Sequence, residues 1–229
     1  MKKLLLLLAV LMISLASIAQ DTLAVDSTKV KKVKKPKKAV ANGFGLSMGL
    51  IYGMLRAETE AKFIPNSNKI VKSEPVNKTG VSAAIFYEYS WSKWTLRPAV
   101  EANLALAHIK YDVERFNDEE GYIFPLTIDL PVSLMYHPEK KNWPSFMIGA
   151  RPIFNSDQFS SIHPKTANFA FNGDVGISYV IPAGKNKMRI ELVYSYGFID
   201  VLKKEENDTY SIGVNHIYRD ILGLKLYFN

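Results

Sequence analysis

The alternation of residues in the last stretch of the chain, 187–229, constrains the fold more than any other feature. Apolar and aromatic side chains occupy one parity of two runs: Met188, Ile190, Leu192, Tyr194, Tyr196, Phe198, Tyr218, Leu222, Leu224, Leu226 and Phe228. Polar, charged and small residues dominate the other parity. Because successive side chains of a strand point to opposite faces, this stretch predicts a hairpin with one apolar and one polar face. Such a hairpin is typical of the closing strands of a membrane β-barrel.

The same alternation recurs along the rest of the chain after residue 42. Six segments precede the closing hairpin, at about 43–54, 80–91, 94–110, 124–137, 145–154 and 169–181. The short turns between segments are 90–93, 138–144 and 182–186, and the longer polar connections lie near 55–79, 111–123, 155–168 and 201–215. This rhythm is typical of a spanning barrel with both termini on the short-turn side. We therefore predict an all-β fold, an eight-stranded antiparallel up-and-down transmembrane β-barrel.

Three prolines, Pro98, Pro131 and Pro152, lie inside predicted strands. Proline has no N–H to donate to the ladder of hydrogen bonds between strands. Each of the three therefore predicts a bulge, another irregularity, or a strand boundary that lies elsewhere.

The first 19 residues predict export. Lys2 and Lys3 form a basic start, residues 4–19 form an apolar run, and Ser17-Ile18-Ala19 is a small-x-small cleavage site. A secretory signal peptide is favoured over an anchor helix, because the run is short and wrongly flanked for a spanning segment. The chain contains no cysteine, which excludes disulfides and thiolate metal sites.

The net charge of +7 belongs to the N-terminal part of the chain. Lys2 and Lys3 contribute two positive charges, and residues 20–42, with seven lysines and two aspartates, contribute the other five. Residues 43–229 are therefore electrically balanced, which argues against a nucleic-acid-binding face. The tail lysines are Lys29, Lys31, Lys32, Lys34, Lys35, Lys37 and Lys38. Their density predicts a disordered linker, or alternatively a segment that contacts anionic lipid, cell-wall polymer or an acidic partner.

These features divide the chain into three parts. Residues 1–19 are the predicted signal peptide, 20–42 a lysine-rich disordered periplasmic tail, and 43–229 the barrel. We expect the barrel in the outer membrane of a Gram-negative cell, with both termini in the periplasm.

Charges of both signs collect on the parity that would face the lumen. The candidates are Glu88, Arg97, Glu101, Asp129, Arg151, Asp174, Arg189, Glu191, Arg219 and Lys225. The interior of an eight-stranded barrel is narrow and an isolated buried charge is costly, so these groups must pair or form hydrogen bonds. We predict a salt-bridged plug that fixes the strand register, and a conducting pore or small-ligand cavity is the alternative.

The sequence offers no metalloprotease helix and no phosphate loop. The histidines, His108, His137, His163 and His216, are scattered, and H-E-x-x-H and glycine-rich phosphate loops are absent from the sequence. Placement of His108 and His163 near the outer rim leaves a lipid-modifying enzyme as an alternative. The acidic stretch 112–120 offers carboxylates to calcium, but it is read more simply as a solvated loop. We expect no catalytic residue, cofactor or metal.

The last strand also carries an assembly signal. Gly223, Leu226 and Phe228 have the spacing that the barrel-assembly machinery reads, although Asn229 follows the final aromatic residue. The alternation of the last strand produces the same spacing, and both interpretations can hold together.

Short motifs in the second half of the chain carry a family resemblance. They are I-D-L-P-V-S-L-M-Y-H-P at 128–138, S-F-M-I-G-A-R-P-I-F at 145–154, and D-V-G-I-S-Y-V-I-P followed by R-I-E-L-V-Y-S-Y-G within 174–197. Over 43–229 the chain resembles the outer-membrane β-barrel family of Bacteroidota and, within it, the PorT-like proteins. The resemblance implies an association with type IX secretion and gliding, and it implies no catalytic residues. The lysine-rich tail departs from the family pattern.

We therefore expect a non-enzymatic outer-membrane barrel, an accessory component of an envelope machine such as type IX secretion. Its expected partners are outer-membrane lipid, the barrel-assembly machinery during biogenesis and secretion-system proteins, and nucleic acid is not among them. The alternatives are a general small structural or ligand-binding barrel, a lipid-modifying barrel enzyme, and a soluble lipocalin-like barrel with its apolar parity inside.

Overall fold

The computed structural model describes residues 42–59, 70–113, 119–139, 143–155, 165–183, 186–203 and 214–228. Its strands are β1 Gly43–Thr59, β2 Ile70–Val76, β3 Lys78–Trp91, β4 Trp94–Ala105, β5 His108–Val113, β6 Glu119–Tyr122, β7 Leu126–Asp129, β8 Val132–Tyr136, β9 Ser145–Asn155, β10 Phe169–Ala183, β11 Asn186–Gly197 and β12 Val214–Phe228. The predicted signal peptide and the tail lysines lie outside the described residues. Nowhere in the described ranges is there a helix of the length and hydropathy that a membrane span requires.

One antiparallel sheet closes on itself to form a barrel. Its strands follow in the order β10, β11, β12, β1, β3, β4, β7 together with β8, and β9, and β9 pairs back with β10. β7 and β8 share one position in the ring, because both pair with β4 on one side and with β9 on the other. The ring thus has eight positions, which confirms the predicted eight-stranded antiparallel barrel.

The three prolines lie on neighbouring ring positions, and two of them leave ladder bonds unreturned. The Ala99 N–H donates to the Pro131 carbonyl at 2.9 Å, and Pro131 has no N–H to return the bond. The Leu130 N–H donates to the Pro152 carbonyl at 2.9 Å, and again no N–H is available for the reverse bond. Pro98, Pro131 and Pro152 are referred to below as the proline seam.

The proline seam interrupts the ladder without shifting it. On one side of the gap Pro98 pairs with Val132, and on the other side Glu101 pairs with Asp129, both in the same register. The predicted irregularity is therefore a gap between β7 and β8, and no bulge accompanies it. Because the register is kept, the alternation of inward and outward side chains continues across the gap.

Two of the predicted polar connections contain strands, which corrects the sequence prediction. Part of 55–79 forms β2, and β2, β5 and β6 make a second, three-stranded sheet. β1 runs on to Thr59, and the predicted segment 94–110 divides into β4 and β5. These strands lie at the end of the barrel that carries the longer connections, the loop side; the opposite end, with the short turns, is the turn side. The prediction failed because a strand beyond an apolar band has no need of one apolar face, so its period-two signal fades.

Apolar side chains on the outer face form an exposed belt. Its members include Phe44, Leu46, Leu50, Ile85, Val100, Ile128, Phe146, Ile148, Val175, Ile177, Leu192 and Leu224. Aromatic pairs border the belt: the rings of Trp94 and Tyr136 are 5.0 Å apart on the turn side, and those of Phe154 and Phe169 are 5.5 Å apart on the loop side. This arrangement is the reverse of a lipocalin-like barrel, whose apolar face points inward.

Candidate functional site: the lumen

The charged residues predicted for the lumen occupy the inner face of the barrel in two clusters, with Arg219 apart from both. All are buried except Arg189, which is partly exposed on the turn side. The turn-side cluster consists of Glu88, Arg97, Arg189 and Glu191. The central cluster consists of Glu101, Asp129, Arg151, Asp174 and Lys225.

The turn-side cluster ties opposite walls of the barrel together. Arg97 Nη2 donates to Glu191 Oε1 at 2.6 Å, and their strands, β4 and β11, are four ring positions apart. Arg189 donates from Nη1 and Nη2 to the two oxygens of Glu88, at 2.5 and 3.1 Å. The Arg97 guanidinium also lies 4.1 Å from the centre of the Tyr227 ring. Bidentate and cation–π contacts of this kind need a fixed geometry, so they hold the strands in register.

The central cluster is organised by one guanidinium. Arg151 lies 3.1 Å from Glu101, 3.1 Å from Asp129 and 2.9 Å from Asp174, measured between the closest nitrogen and oxygen atoms. Lys225 Nζ donates to both oxygens of Glu101, at 2.7 and 2.6 Å. The planar fork of arginine suits several carboxylates at once, and the shared pairing offsets the cost of burying these charges.

The interior holds side chains where a channel would need open space. Between the clusters lies a cavity of about 10 Å³, room for about one water molecule. On the loop side of the central cluster, apolar side chains fill the barrel. These form the loop-side core: Leu55, Ala107, Ile109, Tyr111, Ile123, Phe124, Ile153, Ala170, Val201, Leu202, Val214 and Ile217.

Sequence reasoning missed the loop-side core. The signal was present in the inward parity of β4 and β5, which turns from Asn103 to Ala105, Ala107, Ile109 and Tyr111. That change from polar to apolar residues marks the level of the barrel at which the charged clusters end and the loop-side core begins. The outward parity, which identifies the strands, does not carry this change.

Arg219 lies between the central cluster and the loop-side core. Its side chain is 1% exposed, and Nε, Nη1 and Nη2 have no hydrogen-bond partner among the described residues. The guanidinium is 5.8 Å from the centre of the Phe124 ring. Several acceptor atoms on the inner face are likewise buried and without a hydrogen-bond partner among the described residues, among them Asn103 Oδ1, Thr127 Oγ1 and Asp129 Oδ1. Arg219 therefore lies on the inner face with the other charged residues, but it joins neither cluster directly.

A second group missed from the sequence lies on the outer face at the loop side. Arg56 donates from Nε to Asp220 Oδ2 at 2.7 Å and from Nη2 to the Gly197 carbonyl at 2.7 Å. The Arg56 guanidinium lies 4.1 Å from the ring centre of Tyr196 and 5.0 Å from that of Tyr218. Asp220 shares the parity of the outward-facing apolar residues of β12, so alternation alone gave no reason to single it out. Its contacts place a satisfied ion pair at the edge of the apolar belt.

The turn-side rim carries a chain of hydrogen bonds centred on a histidine. His137 Nε2 is 2.8 Å from Thr95 Oγ1, and His137 Nδ1 is 2.7 Å from Ser145 Oγ. Burial lowers the pKa of His137, because a charged imidazolium loses its hydration there. At the same rim Lys93 and Glu139 form an exposed ion pair at 2.6 Å, and the hydrogen bond between them raises the pKa of Lys93 and lowers that of Glu139.

The remaining histidines form no common site. His108 Nδ1 lies 3.1 Å from the Leu106 carbonyl, and His216 Nδ1 lies 2.6 Å from Asp200 Oδ2. His163 falls outside the described residues. In the part of the chain that the structure describes, no three His, Asp or Glu side chains are grouped to hold a metal ion.

The residues of the predicted assembly signal divide between the two faces of β12. Gly223 is buried on the inner face, whereas Leu226 and Phe228 face outward. Phe228 pairs with Leu46 on β1 and with Met188 on β11, so the end of β12 is joined to strands on both sides.

Comparison with known proteins yields structural neighbours only. No protein-family model matches the chain, and no curated protein matches it. Among solved structures it is similar to Neisserial surface protein A, with 14% identity, a TM-score of 0.40, and coverage of 80% of this chain and 96% of that one. It is also similar to the outer membrane protein OprG from Pseudomonas aeruginosa, with 14% identity, a TM-score of 0.38, and coverage of 82% and 96%. Likeness at this level carries no functional argument.

Proposed function

We propose that the protein is a non-enzymatic β-barrel of the bacterial outer membrane and an accessory component of an envelope machine. Type IX secretion, in the manner of PorT-like proteins, is the machine we favour on the sequence motifs at 128–138, 145–154 and 174–197. The expected partners are outer-membrane lipid, the barrel-assembly machinery during biogenesis and proteins of the secretion system.

The exposed apolar belt supports the membrane assignment. A continuous apolar surface of this kind is costly in water and is normal for a barrel surrounded by lipid. The aromatic pairs at both borders of the belt match the positions of interfacial girdles. Both termini of the barrel would then lie in the periplasm, together with the lysine-rich tail, and the loop-side sheet would face outward.

The filled interior is the single observation that carries the accessory role. Ion pairs cross the lumen and the loop-side core closes it, so solute transport has no ready path. A barrel that neither conducts nor catalyses acts through its surfaces, here the loop-side sheet β2, β5 and β6 and the periplasmic tail. The same observation leaves a general structural barrel as the second candidate.

Planar bilayer recording of the purified barrel tests the closed interior. We expect no steady conductance at moderate voltage. Large, stable single-channel steps would contradict the plug and favour a pore. Extraction from membranes tests the location: recovery in the soluble fraction without detergent would overturn the membrane assignment.

Affinity purification from native membranes separates the two candidates. Co-purification of secretion-system proteins supports the accessory role, whereas recovery of the barrel with lipid alone supports the general structural role. Repeating the purification with 29–38 deleted tells whether the tail contributes: loss of the partners assigns contact to the tail lysines, and their retention makes the tail a linker.

A further inference from the structure

The small cavity in the lumen lies directly behind the proline seam. Its lining includes Ala99 and Pro131 from the barrel wall, together with Arg97 and Glu191 of the turn-side cluster. The Ala99 N–H donates to the Pro131 carbonyl. The Ala99 carbonyl accepts no bond from Pro131 in return, because proline has no N–H. A carbonyl oxygen within a sheet that has lost its ladder partner normally forms another hydrogen bond, to protein or to water.

Two charged side chains at the same cavity also have atoms without partners. Arg97 Nη1 and Glu191 Oε2 are buried and form no hydrogen bond, although the other arm of each side chain forms their mutual bond of 2.6 Å. The nearest contact of Arg97 Nη1 is Glu88 Oε1 at 3.7 Å, which is too long for a hydrogen bond. The cavity therefore brings together one unused donor and one unused carboxylate acceptor.

The charges around the cavity decide what kind of guest fits. Arg97 and Arg151 repel a cation, while Glu101, Asp174 and Glu191 repel an anion. A neutral guest that both accepts and donates hydrogen bonds meets neither penalty. The volume of about 10 Å³ admits one guest of the size of water and nothing larger.

We propose that this cavity is a binding site for a single water molecule, which joins the turn-side cluster to the proline seam. The water accepts from Arg97 Nη1 and donates to Glu191 Oε2 and to the Ala99 carbonyl, which gives it the three partners typical of buried water. The site goes beyond the proposed function, since it holds whether or not the barrel serves a secretion machine. It explains how the wall accommodates Pro131, and it admits a neutral molecule where an ion is excluded.

A crystal structure of the mature, full-length barrel, at a resolution that shows water, tests the site directly. We expect one ordered water within hydrogen-bond distance of Arg97 Nη1 and Glu191 Oε2. Direct bonding of these atoms to protein groups with no density between them overturns the proposal. Soaking crystals with bromide gives a second test, because anomalous density at the site would identify an anion and contradict a neutral guest.

Substitution of Ala99 separates the water from mere packing. Ala99→Val fills the space with methyl groups and displaces the water, so we expect loss of the density and a lower melting temperature in lipid. Ala99→Ser adds a hydroxyl that can form the hydrogen bonds of the displaced water, so this variant is expected to melt near the native temperature. The matched control is Ala102→Val, on the outer face of β4. The proposal would be overturned if Ala99→Val and Ala102→Val had equal melting temperatures and the density for the water were still present in Ala99→Val.

Discussion

Lys225 Nζ lies 2.7 and 2.6 Å from the two oxygens of Glu101, on a strand three ring positions away. Lys225→Met removes this tie and leaves Glu101 with Arg151 alone. Removing one partner of a buried ion pair typically costs about 3–5 kcal/mol, and we expect a loss of that order. Urea unfolding of the barrel in lipid vesicles measures it. The control is Lys72→Met, which removes an exposed ion pair with Glu74 and is expected to leave the urea midpoint unchanged. Equal shifts of the midpoint in both variants would show that the buried pair of Lys225 and Glu101 stabilises the barrel no more than an exposed pair does.

Arg151 and Arg219 are expected to respond oppositely to the same substitution. Arg151→Met leaves three carboxylates without their shared cation, so the free energy of unfolding falls by about 3–5 kcal/mol. Arg219→Met removes an unpaired buried charge and replaces it with an apolar side chain beside Phe124, so stability stays level or rises. Urea midpoints of the two variants, measured in one lipid, check the contrast. A loss at Arg219 as large as that at Arg151 would mean that its guanidinium is paired in the membrane.

Gly80 is required by the close approach of β3 and β4. A Cβ placed there would lie 2.0 Å from the Leu104 carbonyl oxygen, a backbone atom that cannot move without disturbing the ladder. Gly80→Ala is therefore expected to fold poorly or to unfold at clearly lower urea. Gly53→Ala is the matched control, since its nearest neighbour would be at 3.4 Å. Heat-modified mobility on gels reports the folded fraction of each; similar folded fractions would contradict the packing argument.

The turn-side rim is expected to weaken in mild acid through His137. Burial lowers the pKa of His137 below its usual value of 6.5, Arg189 and Arg97 add to the effect, and Glu88 opposes it. In the unfolded chain His137 takes up a proton near pH 6.5, whereas in the folded barrel it stays neutral to a lower pH. Its contribution to the free energy of unfolding is therefore fully present above pH 6.5 and is lost as the pH falls through the folded pKa.

Comparison with His137→Gln isolates this contribution. The variant cannot titrate, so its unfolding midpoint should change less between pH 7.5 and pH 5.5 than the native midpoint does. Identical pH slopes in the two proteins would assign the dependence to other groups.

Alternation was enough to predict the eight positions of the barrel ring. Leu96 and Arg97, or Leu224 and Lys225, differ so plainly that their faces follow from the period of two. The ion-pair partner of each inward charge could not be predicted from the alternation. Arg97 reaches Glu191 across the barrel because of the stagger between distant strands, and stagger leaves no trace in a local pattern.

The loop side was predicted least well, for a related reason. Inside a lipid belt each strand needs one apolar face, and beyond it that constraint ends. Arg56 and Asp220 sit where the constraint fades, and β6 lies wholly past it. Pairing there depends on polar contacts such as the bond from the Leu55 N–H to Asn77 Oδ1, which no periodicity announces.

The length of β1 has a consequence for reach. Its 17 residues extend roughly 58 Å at about 3.4 Å each, and a tilt of about 40° leaves a rise of roughly 44 Å along the barrel axis. The apolar band of such barrels is only about 25 Å tall. In the proposed orientation the barrel therefore extends beyond the membrane on the loop side and holds its second sheet clear of the lipid head groups. A partner can bind that sheet without touching the membrane.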